Sequence, residues 1–106
     1  MRIISGELKG RKLIIPKNLT IKPTKDIVRE SFFNIIQNYF NLNEISALDL
    51  FAGSGFISYE FASRDCKDIT CVDIEYNCCK FIIDTSKKLN IKDKINTFHS
   101  DYLRFI

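Results

Sequence analysis

The feature that most constrains the fold is a short apolar run that ends in a glycine turn. Residues 47–51 are apolar apart from Asp49, and Ala-Gly-Ser-Gly follows at positions 52–55. Glycine lets the backbone turn tightly and approach a ligand without a Cβ in the way. The residues from Phe56 to Arg64 then favour a helix. This order is typical of the first unit of an open α/β sheet.

The rest of the chain repeats the alternation of strands and helices. The apolar patterns predict strands at Ile69–Ile74 and Ile95–Phe98, a helix at Tyr76–Asn90 and a short final turn to Ile106. Strands that alternate with helices pair in parallel through right-handed crossovers. We therefore expect an α/β fold with three parallel strands.

The N-terminal quarter predicts a different arrangement. β-prone runs at residues 2–5 and 11–15 flank a loop with two glycines, as in a β-hairpin. Pro16 and Pro23 bracket the next loop, and Thr24 is predicted to cap a helix from about residue 25 to 40. We expect two parts: an N-terminal arm (residues 1–24) and an α/β part (residues 25–106).

Basic charge is concentrated near the N-terminus. The chain of 106 residues has a net charge of +3, but residues 1–25 alone carry seven basic and one acidic side chain, a net +6. A basic segment of this kind predicts contact with a polyanion. A solvated lysine-rich surface explains the same charge equally well.

Three carboxylates belong to the predicted strand ends. Asp73 lies twenty residues after Gly53, where a carboxylate can accept the two hydroxyls of a ribose. Asp101 follows the third strand and could meet the amine of an adenine. Asp49 beside the glycine turn favours a cationic ligand over a pyrophosphate, and S-adenosylmethionine is such a ligand. The alternative is a glycine turn kept for packing, with surface aspartates.

Other kinds of site have weaker support. The turn departs from a dinucleotide fingerprint at Ser58 and has no P-loop lysine, so a nucleotide-cofactor oxidoreductase is weak. Four cysteines without a Cys-x-x-Cys pair and a lone His99 predict no metal site, and we expect reduced thiols that fill apolar space. No apolar run reaches the roughly 18 residues of a membrane span, and no signal peptide is evident. We expect a soluble cytoplasmic protein.

Two stretches carry a resemblance to a known family. Residues 49–55 resemble the first motif of class I S-adenosylmethionine-dependent methyltransferases. The stretches at residues 1–6, 9–13 and 22–34 are similar to the bacterial guanine-N2 methyltransferases of small-subunit ribosomal RNA, the RsmD family. The resemblance implies a Rossmann-like fold that holds S-adenosylmethionine and methylates the exocyclic N2 amine of one guanosine.

The resemblance also implies roles for individual residues. The methionine part of the cofactor would lie on Phe51–Gly55, the ribose on Asp73, and the adenine on Ile74 with its amine at Asp101. Thr24 and Arg29 could contact the cofactor carboxylate, although a helix-surface charge explains Arg29 equally well. The complete predicted cofactor set is Asp49, Phe51, Ala52, Gly53, Ser54, Gly55, Asp73, Ile74, Asp101 and Tyr102. The predicted RNA contacts are Arg2, Lys9, Arg11 and Lys12.

One departure from the family limits the prediction. The family's acceptor motif is Asn or Asp followed by Pro-Pro and an aromatic residue, and the two prolines of this chain lie at positions 16 and 23. We assign no catalytic residue and expect the 106 residues to be an inactive N-terminal part. The alternatives are a non-catalytic module that binds RNA or S-adenosylmethionine, or an inactive truncated fragment. A missing C-terminal half or another chain is expected to cover the strand edge at Leu48–Phe51.

Overall fold

The computed structural model describes residues 1–19 and 24–106, so the predicted loop between Pro16 and Pro23 lies partly outside the described residues. Two short helical segments and three longer helices accompany a sheet. In chain order these are α1 (Asp26–Tyr39), a 3-10 turn (Leu42–Glu44), β1 (Ser46–Asp49), α2 (Phe56–Ser63), β2 (Asp68–Asp73), α3 (Tyr76–Lys88), β3 (Ile95–His99) and α4 (Tyr102–Phe105).

The sheet confirms the predicted parallel α/β arrangement. Its order is β1-β2-β3, and both neighbouring pairs are parallel. Leu48 pairs with Thr70, and Cys71 pairs with Thr97. Because the strands run in parallel, their carboxyl ends, and with them the glycine turn and Asp73, meet at one edge of the sheet.

The hydrophobic core lies between the sheet, α2 and α3. α2 packs on β1 and β2, and α3 packs on β2 and β3. Tyr59 and Ile82 from the two helices and Ile69 from β2 are fully buried. The N-terminal arm adds Ile3, which is also fully buried in this core. The division at residue 24 stays a prediction, but the arm is packed on the α/β part.

α2 and α3 end in the same way. After α2, Asp65 adopts a left-handed conformation, and the N–H of Cys66 donates to the carbonyl oxygen of Phe61. After α3, Asn90 takes the same role, and the N–H of Ile91 donates to Ser86. This motif satisfies carbonyl groups that a helix end leaves free.

The predicted β-hairpin forms only as a short antiparallel pairing. Arg2 and Lys12 form a bridge, the N–H of Leu13 donates to Met1, and Ile3 exchanges backbone hydrogen bonds with Arg11 and Gly10, but the pairing stops at Ile3. The N–H groups of Ile4 and Ser5 donate to the carboxylate of Glu60 on α2 instead of to a second strand. A distant helix therefore competes for the donors that a local hairpin would use.

Three smaller predictions also need correction. Thr24 does not cap α1, since the cap position is Lys25 and its side chain forms no capping hydrogen bond. β1 ends at Asp49 rather than at Phe51, because the chain turns out of the sheet before the glycines. The final segment, expected as a turn, forms one helical turn capped by Asp101, whose side chain accepts the N–H of Leu103.

The four cysteines are free and buried, which agrees with their expected role as small apolar side chains. Within the described residues, no three His, Cys, Asp or Glu side chains form a group that could hold a metal ion. No helix in the described part of the chain is long and apolar enough to cross a membrane.

Candidate functional site

The glycine turn is tied to the carboxyl end of β2. The N–H of Ala52 donates to the carbonyl oxygen of Val72 at 3.0 Å. The N–H of Gly53 donates to Oδ2 of Asp73 at 2.8 Å. The turn and the predicted ribose-binding carboxylate are therefore one hydrogen-bonded unit.

Gly55 cannot be replaced without disturbing the start of α2. Its φ is +87°, a left-handed conformation. A Cβ at this position would lie 2.6 Å from the ring Cζ and the hydroxyl oxygen of Tyr59 and 2.9 Å from a side-chain carbon of Ile82. The backbone thus passes directly over two buried side chains, which only glycine permits.

Asp73 is held in one orientation by backbone donors. Oδ2 accepts the N–H of Gly53, and Oδ1 accepts the N–H of Glu75 at 2.9 Å. Each carboxylate oxygen has a second lone pair, so both can still accept a hydroxyl. Asp73 is half-buried and forms no ion pair within the described residues.

A cavity of about 180 Å³ opens beside Asp73. It brings together five of the ten predicted cofactor residues. The lining residues are Leu50, Phe51, Asp73, Ile74, Ser100, Asp101 and Tyr102. The rings of Phe51 and Tyr102 lie 4.9 Å apart, and Phe51 and Ile74 are mostly exposed. The walls therefore combine apolar surface with two carboxylates.

The other predicted cofactor residues lie around this cavity rather than in its wall. Ala52 and Ser54 are buried within the turn, and neither lines the cavity. Gly53 and Gly55 provide the turn itself. Asp49 lies at the end of β1 and lines a separate apolar groove with Leu48 and Phe51.

Asp49 is an unusual carboxylate in this region. Burial raises the pKa of Asp49, and the negative charge of Asp73 raises it further. The N–H of Phe51 donates to Asp49 Oδ1 at 3.2 Å and partly opposes this effect. Two neighbouring carboxylates without a cation partner favour a positively charged ligand.

The predicted RNA contacts are all exposed. Arg2 and Lys12 are opposite each other in the antiparallel bridge, and Lys9 and Arg11 lie in the intervening loop and next to Lys12. Arg2 also pairs with Asp26 of α1, with 3.2 Å between Nε and Oδ2. The arm therefore presents closely spaced positive charges, and one of them, Arg2, also forms the ion pair with α1.

Thr24 and Arg29 occupy different environments. Thr24 is exposed just before α1. Arg29 is fully buried and pairs with Asp26 and Glu60, so its interpretation as a surface charge is wrong. Its guanidinium lies 5.1 Å from the ring centroid of Phe56, the residue after the glycine turn. Among the described residues, Arg29 Nε has no hydrogen-bond partner.

Asp26 is the exposed end of this ion network. Although burial raises the pKa of Asp26, hydrogen bonds and charges from Arg2 and Arg29 outweigh that effect and lower it. Its carboxylate therefore stays ionised and links the arm to Arg29.

Sequence reasoning missed several residues that shape the site. His99 Nε2 lies 2.9 Å from the carbonyl oxygen of Ile74, and its ring packs edge-on against Tyr76. The N–H of Ser100 donates to the carbonyl oxygen of Asp73. Because a carbonyl oxygen only accepts, His99 donates from Nε2 and fixes the strand end under the cavity. His99 and Ser100 both lie at the end of a predicted strand, and that position was the sequence signal that could have identified them.

Comparisons with known proteins agree on the family. The model of the family described as "Conserved hypothetical protein 95" matches residues 1–106. A Bacillus subtilis protein named "Putative rRNA methyltransferase YlbH" is 36% identical over 101 residues, which are 95% of this chain and 54% of that protein. A Haemophilus influenzae protein named "Ribosomal RNA small subunit methyltransferase D" is 39% identical over 75 residues, 71% of this chain and 38% of that protein.

Solved structures give the same answer for the fold. The structure titled "Putative methyltransferase yhhF from Escherichia coli" superposes with a TM-score of 0.84 at 28% identity, over 99% of this chain and 55% of that one. The chain thus spans about half the length of the relatives it matches. Its three parallel strands are the Rossmann-like fold of these methyltransferases. The chain belongs to the RsmD family, which includes proteins named "Ribosomal RNA small subunit methyltransferase D".

Proposed function

We propose that this chain is the cofactor-binding and RNA-contacting part of an S-adenosylmethionine-dependent methyltransferase that acts on small-subunit ribosomal RNA. The acceptor is the exocyclic N2 amine of a guanosine, and the reaction takes place in the cytoplasm. The observation that carries the proposal is the unit of Asp73 and the glycine turn beside a cavity with apolar walls.

The residues present suit this cofactor. Asp73, fixed by two backbone N–H groups, accepts the ribose hydroxyls. Ile74 and Phe51 provide exposed apolar surface for the adenine, and Tyr102 extends it. Asp101 receives the adenine amine at the cavity wall.

The electrostatics favour a cation. Burial raises the pKa of Asp49, repulsion by the carboxylate of Asp73 adds to the effect, and a positive ligand relieves that repulsion. The backbone of residues 52–55 holds the methionine part, and the exposed Thr24 is the candidate contact of its carboxylate. Arg29 is buried and already paired with Asp26 and Glu60, so it supports the start of α2 rather than the ligand. When bound, S-adenosylmethionine supplies the electrophilic methyl group that the acceptor amine takes in an in-line displacement.

Calorimetry separates this proposal from the oxidoreductase alternative. S-adenosylmethionine should bind, whereas NADH, which carries a pyrophosphate, should be rejected by the carboxylates. Binding of NADH with equal or higher affinity would overturn the cofactor assignment.

The arm supplies the contact with RNA. Arg2 and Lys12 lie opposite each other in the bridge, where their like charges repel and Asp26 pairs only with Arg2. Lys9 and Arg11 add two exposed charges. Contacts of this type bind phosphates, position the RNA and make the affinity dependent on salt, but they read little sequence.

The RNA contact is tested by reversing charge. The double variant Arg11→Glu and Lys12→Glu should bind RNA more weakly and show a shallower dependence of affinity on salt. A matched double variant of exposed lysines far from the arm, Lys87→Glu and Lys88→Glu on α3, should keep the wild-type slope. Identical behaviour of both variants would refute the RNA contact.

The acceptor residues belong to the part of the protein outside these 106 residues. β1 has a neighbour on one side only among the described residues, and Leu48 and Phe51 are 54% and 73% exposed. The groove beside them, about 440 Å³, is lined with apolar side chains of α1 and α2. The further length of the relatives supports a C-terminal half that covers this edge.

Methylation is tested on the intact protein. Incubation with 30S particles and labelled S-adenosylmethionine should transfer methyl groups to ribosomal RNA, and nucleoside analysis should identify N2-methylguanosine. Cofactor and RNA binding without any transfer would favour the non-catalytic alternative.

A further inference from the structure

Five hydrogen bonds join the N-terminal arm to two residues of α2. Glu60 accepts the N–H groups of Ile4 and Ser5 at 2.6 and 3.3 Å. The hydroxyl of Ser63 accepts the N–H of Leu8 at 2.8 Å and donates to the carbonyl oxygen of Ser5 at 2.6 Å. The carbonyl oxygen of Ser63 accepts a fifth bond from the arm, at 2.8 Å.

Glu60 is fully buried and bound on its other side by two arginines. Arg64 Nε lies 2.8 Å from Oε2, and Arg29 Nη1 lies 3.4 Å from Oε1. A buried carboxylate with this many donors has one stable orientation. The backbone of Ile4 and Ser5 is therefore attached to a rigid point of the core.

The approach of the arm to α2 depends on Gly6. Its φ is +88°, and a Cβ there would lie 2.0 Å from the backbone oxygen of Ser63. Gly10 offers a contrast on the same arm, since its φ is +84° but a Cβ would meet nothing within 4 Å. Only the first glycine is required by the contact with the helix.

The helix that holds the arm also begins at the glycine turn. α2 starts at Phe56, directly after Gly55, and ends at Ser63. Its eight residues span about 12 Å. One short rigid element thus connects the candidate cofactor site to the basic arm.

We propose that Glu60 and Ser63 are positioning residues that fix the arm relative to the glycine turn, so that RNA held by the arm meets the cofactor site in one register. This inference rests on the RNA contact of the proposed function. A fixed arm loses little freedom when RNA binds, whereas a released arm must be ordered at that moment. The arm's charges are the same in both cases.

The test compares Gly6→Ala with Gly10→Ala in the intact protein. Both place alanine at a left-handed position, so the backbone strain is shared, but only Gly6→Ala pushes the arm off α2. We expect Gly6→Ala to weaken RNA binding about tenfold relative to Gly10→Ala. Its slope of affinity against salt should be unchanged, because no phosphate contact loses its charge.

Three further readouts separate positioning from general damage. The affinity for S-adenosylmethionine should be the same for both variants. Amide exchange at Ile4 and Leu8 should accelerate only in Gly6→Ala. In Gly6→Ala, kcat for methyl transfer at saturating RNA should fall while KM for the cofactor stays unchanged. Ser63→Ala, which removes two of the bonds without a clash, should change these quantities in the same direction and by less.

The outcomes distinguish the two proposals. Wild-type protein without salt-dependent RNA binding would overturn the proposed RNA contact and this inference with it. Normal wild-type binding with equal losses in Gly6→Ala and Gly10→Ala would overturn the positioning role alone.

Discussion

Asp73 and Glu60 are both carboxylates that accept two backbone N–H groups, but their surroundings differ. Asp73 accepts the N–H groups of Gly53 and Glu75 at the carboxyl end of the sheet and forms no ion pair with any described residue. Glu60 binds two arm residues inside the core and is neutralised by two arginines. The first keeps its charge available to a ligand, and the second uses its charge to hold the chain together.

The largest expected difference between Glu60 and Asp73 is their contribution to the free energy of unfolding. Glu60→Ala leaves Arg29 buried without that partner, and we expect a loss of about 3–5 kcal/mol in the free energy of unfolding. Asp73→Ala should cost less than about 1.5 kcal/mol, because its freed N–H groups lie near solvent. Urea denaturation measures both values. Equal losses would mean that Asp73 is also a structural carboxylate.

The next largest expected effect is that of Asp73 on the binding of S-adenosylmethionine. Asp73→Ala should weaken S-adenosylmethionine binding about 10- to 100-fold, since hydrogen bonds from the ribose to a charged acceptor are lost. Asp84→Ala, an exposed aspartate on α3, is the matched control and should bind as the wild type does. Calorimetry of the two folded variants measures both affinities. An unchanged affinity of Asp73→Ala would contradict the proposed ribose contact.

The smallest effect concerns Asp49 and pH. Because the folded-state pKa of Asp49 is raised, its ionised form costs stability above that pKa, and the cost disappears as pH falls through it. Asp49→Asn should therefore be more stable than the wild type at pH 7, with a difference that shrinks in acid. Thermal unfolding across pH measures this difference.

The same variant should bind the cationic cofactor about threefold more weakly. A control is Asp84→Asn, which should leave both stability and its pH dependence unchanged. A stability difference that grows toward low pH would contradict the assigned sign.

The geometry of the candidate site was predictable because its sequence signals are short. An apolar run, two glycines and a carboxylate twenty residues later predict the strand, the turn and the proposed ribose acceptor, and the structure brings Gly53 and Asp73 into contact. The observed ends of the strands and helices differ from the predicted ends by up to two residues. Helix α3, for example, ends before Asn90 because that residue takes a left-handed cap.

The arm was not predictable in the same way because its partners are distant. Ile4 and Glu60 are 56 residues apart, and nothing in the β-prone runs indicates that a helix carboxylate takes their N–H groups. Arg29 shows the same limit, since a basic residue on an amphipathic helix is usually exposed, and its burial depends on Glu60, 31 residues away, as well as on nearby Asp26.

The four buried cysteines have a practical consequence. Burial raises the pKa of the Cys71 thiol to about 12 and that of Cys78 to about 11, and nearby Asp73 adds to the effect at Cys78. Alkylating reagents attack the thiolate, so at neutral pH these side chains react only when the surrounding structure opens. Cys71 lies in the central strand, and Cys78 lies in the first turn of α3, a few residues after Asp73 and Ile74 of the candidate site. The rates at which an alkylating reagent labels Cys71 and Cys78, with and without S-adenosylmethionine, therefore report how often the sheet and helix α3 open, and no cysteine has to be introduced.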